Sequence, residues 1–396
     1  MALLFALTSN VVSFTILQSF LFFFTSILII DKYVKNYTIF FMLLFIACPI
    51  FYGFSVYHEM SVMCLIAINT FIIIIYSNRI NERLQAFNIR KKTLYFFVLT
   101  LVFYIIFGFR QNAFTIIPVI LLIFIRLYNI YQKKLALSLR IIALAIGIIS
   151  VSFVPRIFGI KAVYDSSPAG FVWEILSTIQ IMPENKQKSY NTYLDYLVGV
   201  GGTKKALGVN SNTSVNGWLW TVFRPEIIGN KENAQQIKKD YINLLMKEPR
   251  YFIRNKTNFF LKTLGVGFTL IDAEYNYNRN NKMQEFGMID NMPRQLFVES
   301  YHKTHMLLPL IRKPYIIFTI TLILLILGKG LLDRGLWLQM TDIYLISVLY
   351  YAAFLINNQS FEFRYFFPSF CYLVIVSIAI IDVIIKTTLD KIRIKF

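Results

Sequence analysis

The chain has 396 residues, of which 57% are hydrophobic and only 15% are charged, and its mean hydropathy is +0.57. These values lie outside the range of soluble globular domains and therefore exclude an ordinary water-soluble enzyme. The formal net charge of +19 raises the question of a nucleic-acid partner, but the basic residues are distributed as in membrane proteins. We therefore expect membrane lipids as partners and no nucleic acid.

Apolar segments that approach the roughly 20 residues of a transmembrane helix recur along both ends of the chain. We predict an all-α polytopic membrane protein with about nine transmembrane helices. Pro49 and Pro118 are expected to kink their helices, and Pro368 suits the first turn of the last one. The predicted spans are Val11 to Ile30, Tyr37 to Tyr57, Ser61 to Tyr76, Thr93 to Phe109, Ala113 to Ile125, Leu135 to Val154, Tyr315 to Gly328, Leu336 to Ile356 and Phe366 to Ile385.

A more polar block between the sixth and seventh spans divides the chain into three predicted domains. Residues 1–154 form an N-terminal transmembrane bundle, residues 155–314 a large and mainly helical outer-face domain, and residues 315–396 a C-terminal transmembrane bundle. Hydrophobic spacing in the outer domain predicts three amphipathic helices. The first helix begins at Ser167, the second runs from Ala234 to Met246, and the third runs from Arg250 to Leu264. The apolar face of the third helix carries Phe252, Ile253, Phe260 and Leu261.

The short loops predict the orientation, because loops rich in Lys and Arg stay on the cytoplasmic side. Alternate loops and the C-terminal tail together hold 17 basic residues, whereas the opposite turns hold two, Arg110 and Arg364. The C-terminus is therefore expected in the cytoplasm and the polar block on the outer face. There its 21 basic and 13 acidic residues meet anionic lipid head groups.

Cysteine and histidine give no sign of a metal site. Cys48, Cys64 and Cys371 all lie in predicted spans, so neither a disulfide framework nor a thiolate metal site is expected. His302 and His305 are spaced three residues apart without a surrounding carboxylate motif, which favours a surface pair. Two acids, Asp342 and Asp382, lie near the cytoplasmic ends of spans, where we expect interfacial or mutually packed carboxylates rather than catalytic ones.

Chemistry is expected where polar side chains stand at the outer ends of spans, because these positions are held rigidly and reach the outer compartment. His58 and Glu59 form the tight turn between the second and third spans. The carboxylate of Glu59 can bind a divalent cation, act as a base or simply be solvated. Between the fourth and fifth spans, Arg110 precedes Asn112, and both an anion contact and snorkelling to the interface remain open for this arginine.

The third such place is the segment before the last span, where Glu362, Arg364 and Tyr365 are followed by Pro368. The guanidinium of Arg364 can bind a phosphate or pyrophosphate through two parallel hydrogen bonds. An ion pair between Glu362 and Arg364 that only closes the helix end is the alternative.

These elements, with the basic outer block, resemble the polytopic glycosyltransferases of the GT-C superfamily. Among them the chain is most similar to the bacterial serotype-conversion enzymes that decorate the O-antigen of lipopolysaccharide. The matching elements are short and degenerate: Glu59, Phe109-Arg110-Gln111-Asn112, Lys247-Glu248-Pro249-Arg250-Tyr251 and Glu362-Phe363-Arg364-Tyr365-x-x-Pro368.

The resemblance implies a hexosyltransferase of the bacterial inner membrane. Its donor would be a sugar, glucose by expectation, on a polyprenyl phosphate, and its acceptor the O-antigen or another cell-surface glycan on the periplasmic face. The only cofactor that the resemblance suggests is a divalent cation, Mg²⁺ or Mn²⁺. The implied roles are catalytic for Glu59 and His58, donor-phosphate binding for Arg110, Arg364 and Tyr365, supporting for Asn112, Glu362, Arg250 and Arg254, and metal binding for Glu59.

The chain departs from the family pattern in one respect. The family's principal catalytic acid lies in a long outer loop after the first span, and this chain has no such loop. Nine spans with a cytoplasmic C-terminus also place the N-terminus outside. A missing upstream span and loop would explain both, so N-terminal truncation is expected.

Two other function classes remain open. An O-antigen polymerase or ligase also uses lipid-linked sugars and outer-face arginines, and Arg254 followed by ten residues and Gly265 fits a spacing associated with that class. The single large outer block counts against it. A lipid-linked sugar flippase or transporter predicts polar residues at mid-membrane depth, of which the predicted spans show few.

Overall fold

The computed structural model describes residues 11–57, 59–157, 167–190, 231–270, 299–300, 303–304, 309–356 and 361–393. The elements within these ranges are all helices. The chain divides into two compact units. Unit 1 contains residues 1–158, 273–351 and 364–396, and unit 2 contains residues 159–272 and 352–363. The two hydrophobic ends of the chain therefore build one unit, and a short segment before the last helix belongs to the other.

The helices follow the hydrophobic pattern of the sequence closely. The first group is α1 (Val11–Tyr33), α2 (Thr38–Ala47), α3 (Pro49–Tyr57), α4 (Glu59–Ile75), α5 (Asn78–Arg83), α6 (Ile89–Phe109), a 3₁₀ helix (Gln111–Ile116), α7 (Ile117–Tyr131) and α8 (Lys134–Ile157). Unit 2 contributes α9 (Ser167–Gln180), α10 (Glu184–Lys188), α11 (Lys231–Lys247) and α12 (Pro249–Thr263). The last group is α13 (Pro314–Gly328), α14 (Arg334–Ile356) and α15 (Phe363–Arg393).

Five of the described helices are long and apolar enough to cross a membrane, namely Thr15–Tyr33, Ile89–Phe109, Asn112–Tyr131, Lys134–Ile157 and Phe363–Ile392. Three further helices, Thr38–Ala47, Met60–Ile75 and Pro314–Gly328, are apolar but shorter. The described part of the chain thus bears out an all-α membrane protein. The number of nine spans, their orientation and the outer-face position of the polar block stay predictions.

The prolines act differently from the kinks that the sequence suggested. The second predicted span is broken outright, because α2 ends at Ala47 and α3 begins at Pro49. Pro118 lies at the start of α7, where a missing backbone N–H is tolerated. The placement of Pro368 in a first turn was wrong, because α15 begins at Phe363 and Pro368 lies inside this helix.

Close helix packing and a buried polar network hold unit 1 together. α6 packs against α8 through Gly147, where an added Cβ would lie 2.5 Å from the Cβ of Phe103, so a small residue is needed for this approach. α1, α4 and α15 meet at the side chain of Asn69. Its amide donates to Thr25 Oγ1 (3.1 Å) and Ser26 Oγ (3.2 Å), while its oxygen accepts a hydrogen bond from the hydroxyl of Tyr372 (2.9 Å). These four polar groups satisfy one another inside the apolar bundle.

The three amphipathic helices predicted for the polar block are present in unit 2 as α9, α11 and α12. Their centre is aromatic. Trp173 of α9 stacks on Phe259 of α12 with ring centroids 4.6 Å apart, and both rings contact Phe361, at 6.0 and 5.6 Å. Phe361 is fully buried, so the segment that precedes α15 along the chain completes the core of unit 2.

The predicted apolar face of α12 is only partly buried within unit 2. Phe252 is buried, but Ile253 is 60% exposed and Leu261 is 39% exposed. The buried stripe is instead Phe252, Asn255, Phe259 and Thr263. Polar residues are accepted in this stripe because their hydrogen bonds are made inside the fold. Asn255 Nδ2 donates to Thr178 Oγ1 (3.1 Å), and Thr263 Oγ1 donates to the Phe259 carbonyl (2.7 Å).

A buried carboxylate links the helices of unit 2. Glu174 of α9 is 4% exposed and accepts hydrogen bonds from Lys256 Nζ (2.6 Å) and from the hydroxyl of Tyr241 (2.7 Å). Burial raises the pKa of Glu174, and the adjacent ammonium of Lys256 opposes that shift. Burial also raises the pKa of Tyr241, and the nearby charge of Glu174 adds to the effect. This arrangement is a structural ion pair between α9, α11 and α12.

Candidate functional site

Three of the predicted site residues come together at one end of unit 1. Arg110 follows the end of α6, and Arg364 and Tyr365 lie in the first turn of α15. The guanidinium carbons of the two arginines lie 5.6 Å and 5.0 Å from the centre of the Tyr365 ring. Arg364 Nη2 also donates to the Tyr365 hydroxyl at 3.3 Å. Two cations that are 254 residues apart in the sequence thus share one aromatic ring.

A fourth residue, Ser61, joins the two arginines. Its side chain is fully buried in the first turn of α4. Ser61 Oγ accepts a hydrogen bond from Arg110 Nη2 at 2.5 Å and lies 3.5 Å from the carbonyl oxygen of Arg364, to which it donates. The hydroxyl therefore fixes the position of the Arg110 guanidinium relative to the backbone of α15.

Pro368 bears on the hydrogen bond that the Arg364 carbonyl accepts from Ser61. In an α-helix the carbonyl of residue i−4 accepts a hydrogen bond from the N–H of residue i. The donor for the carbonyl of Arg364 would therefore be the backbone nitrogen of residue 368, which is a proline. Proline has no N–H, so the carbonyl of Arg364 lacks the usual donor four residues ahead. The hydroxyl of Ser61 supplies one. The proline in the Arg-Tyr-x-x-Pro sequence is thus part of the geometry of this cluster.

The backbone around Arg110 holds its side chain between two helices. Arg110 is extended, with φ −142° and ψ 107°, and its carbonyl accepts a hydrogen bond from the Ala113 amide at 2.9 Å, which opens the 3₁₀ helix. Thr115 Oγ1 donates to the carbonyl of Asn112 (2.8 Å) and lies 2.5 Å from the carbonyl of Leu349 in α14. Asn112 is half-buried, and its backbone takes part in fastening this turn to α14.

The Arg110 cluster, defined as Ser61, Arg110, Arg364 and Tyr365, is suited to an anion. Ser61 is an uncharged partner, and Arg110 has no carboxylate within ion-pair distance among the described residues. Arg110 Nε is buried and has no hydrogen-bond partner there. Two guanidinium groups that contact the same ring repel one another, and a phosphate between them would remove that repulsion and give Arg110 Nε an acceptor.

The same cluster does not fit a divalent cation. Mg²⁺ and Mn²⁺ prefer carboxylate and other oxygen ligands, whereas the described residues here supply two cations, a hydroxyl and a phenol. No group of three His, Cys, Asp or Glu side chains that could hold a metal ion occurs in the part of the chain that the structure describes.

Glu59 opens α4, two residues before Ser61. Its backbone therefore lies in the same helical turn as a member of the Arg110 cluster. Its side chain lies outside the described residues, as do His58, His302 and His305. The roles assigned to Glu59 and His58 thus stay predictions.

The remaining predicted residues belong to unit 2. Glu362 is buried there, and Arg250 and Arg254 are exposed on α12. The Lys-Glu-Pro-Arg-Tyr sequence has a structural role. Glu248 pairs with Lys186 of α10 at 2.7 Å, and this hydrogen bond raises the pKa of Lys186, whose ammonium lies 5.2 Å from the centre of the Tyr251 ring.

The spacing between Arg254 and Gly265 likewise has a local explanation. Gly265 follows the end of α12 with a left-handed φ of +81°. Glycine is favoured at this position because it adopts positive φ without strain. The glycine therefore ends a helix, whatever residue stands ten positions earlier.

The opposite end of unit 1 carries the two acids that the sequence placed near the cytoplasm. Asp342 is buried and pairs with Arg126 at 2.5 Å. Asp382 is also buried and accepts hydrogen bonds from the backbone amides of Lys35 (2.9 Å) and Tyr37 (2.8 Å), which precede α2. Each acid thus has partners of its own, and Asp382 holds the turn that precedes α2.

Comparisons with known proteins give no relative. No protein-family model, no curated protein sequence and no solved structure matches the chain.

Proposed function

We propose that the chain is a membrane glycosyltransferase that moves a hexose from a polyprenyl-phosphate donor to the O-antigen or another cell-surface glycan. The observation that carries this proposal is the Arg110 cluster. A phosphate on a lipid tail must be met at head-group depth, and Arg110 and Arg364 stand at helix ends within an apolar bundle. Arginine binds phosphate by paired hydrogen bonds and keeps its charge in a partly apolar environment.

The charge of the cluster suits the chemical step of this reaction. The donor is a phosphodiester with one negative charge, and the released polyprenyl phosphate is a monoester that approaches two. The bond from the anomeric carbon to the phosphate oxygen breaks while the acceptor oxygen bonds to that carbon. Negative charge therefore grows on the phosphate in the transition state, which the guanidiniums of Arg110 and Arg364 stabilise more strongly than the bound donor.

The acceptor hydroxyl must lose its proton during this transfer. A carboxylate near the cluster is the expected base, and Glu59 is the acid whose backbone lies in the same turn of α4 as Ser61. In the proposed step Glu59 takes the acceptor proton, and the lipid phosphate leaves as an anion held by the two arginines.

The proposal is tested on lipopolysaccharide from cells that make O-antigen and express the chain. Mass spectrometry should show one hexose added to each repeat with the wild-type chain and none with Arg364→Ala. Arg79→Ala, which changes an exposed arginine of α5, is the matched control and should leave the added hexose in place. Immunoblots of membranes establish equal amounts of the three proteins.

Three results would count against the proposal. Normal modification with Arg364→Ala would remove that residue from the site, and normal modification with Glu59→Gln would do the same for the proposed base. A change in O-antigen chain length without an added sugar would identify a polymerase instead.

A further inference from the structure

A cavity of about 420 Å³ lies at the other end of unit 1. Helix α4 connects this cavity to the Arg110 cluster. Ser61 of the cluster lies in the first turn of α4, and Tyr76, which lines the cavity, follows the last residue of the helix. Fifteen residues of helix rise about 22 Å, so the cavity and the Arg110 cluster are separated by most of the thickness of a bilayer. The cavity volume lies within the range of small-ligand sites.

Three cations line this cavity, Lys32, Lys35 and Arg126. Arg126 is paired with Asp342, whose side chain is 1% exposed, while the arginine side chain is 27% exposed. The carboxylate thus holds the guanidinium from its buried side. Arg126 Nη1 makes the one hydrogen bond to Asp342, and the other N–H groups of Arg126 have no hydrogen-bond acceptor among the described residues.

Lys32 and Lys35 carry the unbalanced charge. Within the described ranges, neither ammonium has a carboxylate at ion-pair distance. Lys32 Nζ donates to the Tyr76 carbonyl at 2.8 Å and lies 5.3 Å and 5.4 Å from the ring centres of Tyr33 and Tyr76. This cage fixes the ammonium without neutralising it.

The two acids that line the cavity do not cancel this charge. Asp342 is engaged by Arg126 and by the hydroxyl of Tyr76, at 2.5 Å and 2.6 Å. Asp333 is exposed and accepts the Leu336 amide at 2.9 Å. Counting all lining residues, three cations face two carboxylates, and the cavity keeps a net positive charge.

We propose that this cavity is a second anion site, which binds a phosphate group through Lys32, Lys35 and Arg126. The phosphate comes from either an anionic phospholipid or a water-soluble phosphate compound, since both present the same oxygens to the cations. The site does not depend on the glycosyltransferase function, because it shares no residue with the Arg110 cluster.

The test is binding by the purified full chain in a neutral detergent. Native mass spectrometry compares the number of phosphatidylglycerol molecules retained by the chain with the number of phosphatidylcholine molecules. Equilibrium dialysis measures the binding of labelled pyrophosphate. The double variant Lys32→Gln/Lys35→Gln should weaken binding of whichever probe the wild-type chain binds by about tenfold or more. This is the expected effect of losing charge-assisted hydrogen bonds. The control Lys386→Gln/Lys391→Gln makes the same charge change at exposed positions of α15 and should alter binding less than about twofold.

The two probes separate the sources. Retention of phosphatidylglycerol alone identifies a lipid head group, and binding of pyrophosphate alone identifies a soluble phosphate. The proposal is overturned if the wild-type chain binds neither, or if the control pair weakens binding as much as the cavity pair. Should the double variant fail to fold, Lys35→Gln decides the outcome, because its side chain is exposed and only its backbone amide contacts Asp382.

Discussion

The hydroxyl of Ser61 lies 2.5 Å from Arg110 Nη2, and the same oxygen donates to the carbonyl of Arg364. One neutral side chain therefore sets the position of one cation relative to the helix that carries the other. A carboxylate in the place of Ser61 would also hold Arg110, but it would neutralise the charge that a phosphate needs. We regard Ser61 as a positioning residue of the proposed site.

Replacing Ser61 is the first prediction. Ser61→Ala should lower kcat for hexose transfer about 10- to 100-fold, with a smaller effect on donor KM, because Arg110 stays charged but loses its orientation. Ser61→Thr keeps the hydroxyl and should recover most of the rate. The measurement is transfer of labelled hexose in membrane vesicles, with Ser138→Ala as control because Ser138 is exposed on α8. Equal losses for Ala and Thr would indicate a packing role instead.

The ring of Tyr365 gives the second prediction. Tyr365→Phe keeps the aromatic face beside both guanidiniums and loses the 3.3 Å hydrogen bond from Arg364. It should cost less than about fivefold in kcat/KM, whereas Tyr365→Leu should cost about tenfold or more, because both cation–π contacts are then lost. Steady-state transfer rates compare the two variants at equal expression. If kcat/KM falls as far with Tyr365→Phe as with Tyr365→Leu, the loss of activity is due to the hydroxyl and not to the aromatic ring.

Pro368 gives a prediction in which stability and activity change in opposite directions. Pro368→Ala restores an N–H inside α15, so it should raise the thermal unfolding temperature of the purified chain. The new N–H competes with Ser61 for the carbonyl of Arg364, so hexose transfer should fall. Melting curves in detergent and vesicle assays on the same preparation provide both readouts. Higher activity in this variant would contradict the role given to the Ser61 contact.

The buried carboxylate of unit 2 predicts a pH dependence. The pKa of Glu174 is raised above its ordinary value of 4.5, so the folded chain binds this proton more tightly than the unfolded chain does. The contribution of Glu174 to stability is therefore greatest below pH 4.5 and declines as the pH rises through the folded pKa. Chemical unfolding, followed by tryptophan fluorescence across this window, measures the slope.

Glu174→Gln is the variant that isolates this effect. It should remove the decline that begins near pH 4.5. Below pH 4.5 it should change the free energy of unfolding little, because the amide of glutamine resembles the protonated carboxyl. Glu184→Gln, at an exposed position of α10, should change neither the slope nor the baseline. An unchanged slope in the Glu174 variant would assign the pH dependence to another group.

The helices could be predicted from sequence because their signal is local. Apolar runs of membrane length and the spacing of the amphipathic segments depend on neighbours a few residues apart. Arg110 and Arg364 could be singled out for the same reason, since each interrupts a predictable distribution of charge. Their shared contact with Tyr365 followed from no local signal.

The missed features depend on partners far away in the chain. Ser61 and Arg364 are separated by 303 residues, and nothing near Ser61 distinguishes it from other serines. Hydrophobic spacing does not predict the polar members of the buried stripe of α12, because it assumes that buried positions are apolar. Asn255 is buried because Thr178, in another helix, completes its hydrogen bonding.

The hydrogen bonds that Asp382 accepts from the turn before α2 imply an order of assembly. The amides of Lys35, Asn36 and Tyr37 find their acceptor in a residue that the ribosome adds about 345 positions later. Until α15 has entered the bilayer, this turn has exposed N–H groups at the edge of a medium that cannot solvate them. The hairpin of α1 and α2 is thus completed only when α15 is in place, and a chain that stops short of Asp382 leaves its turn without this acceptor.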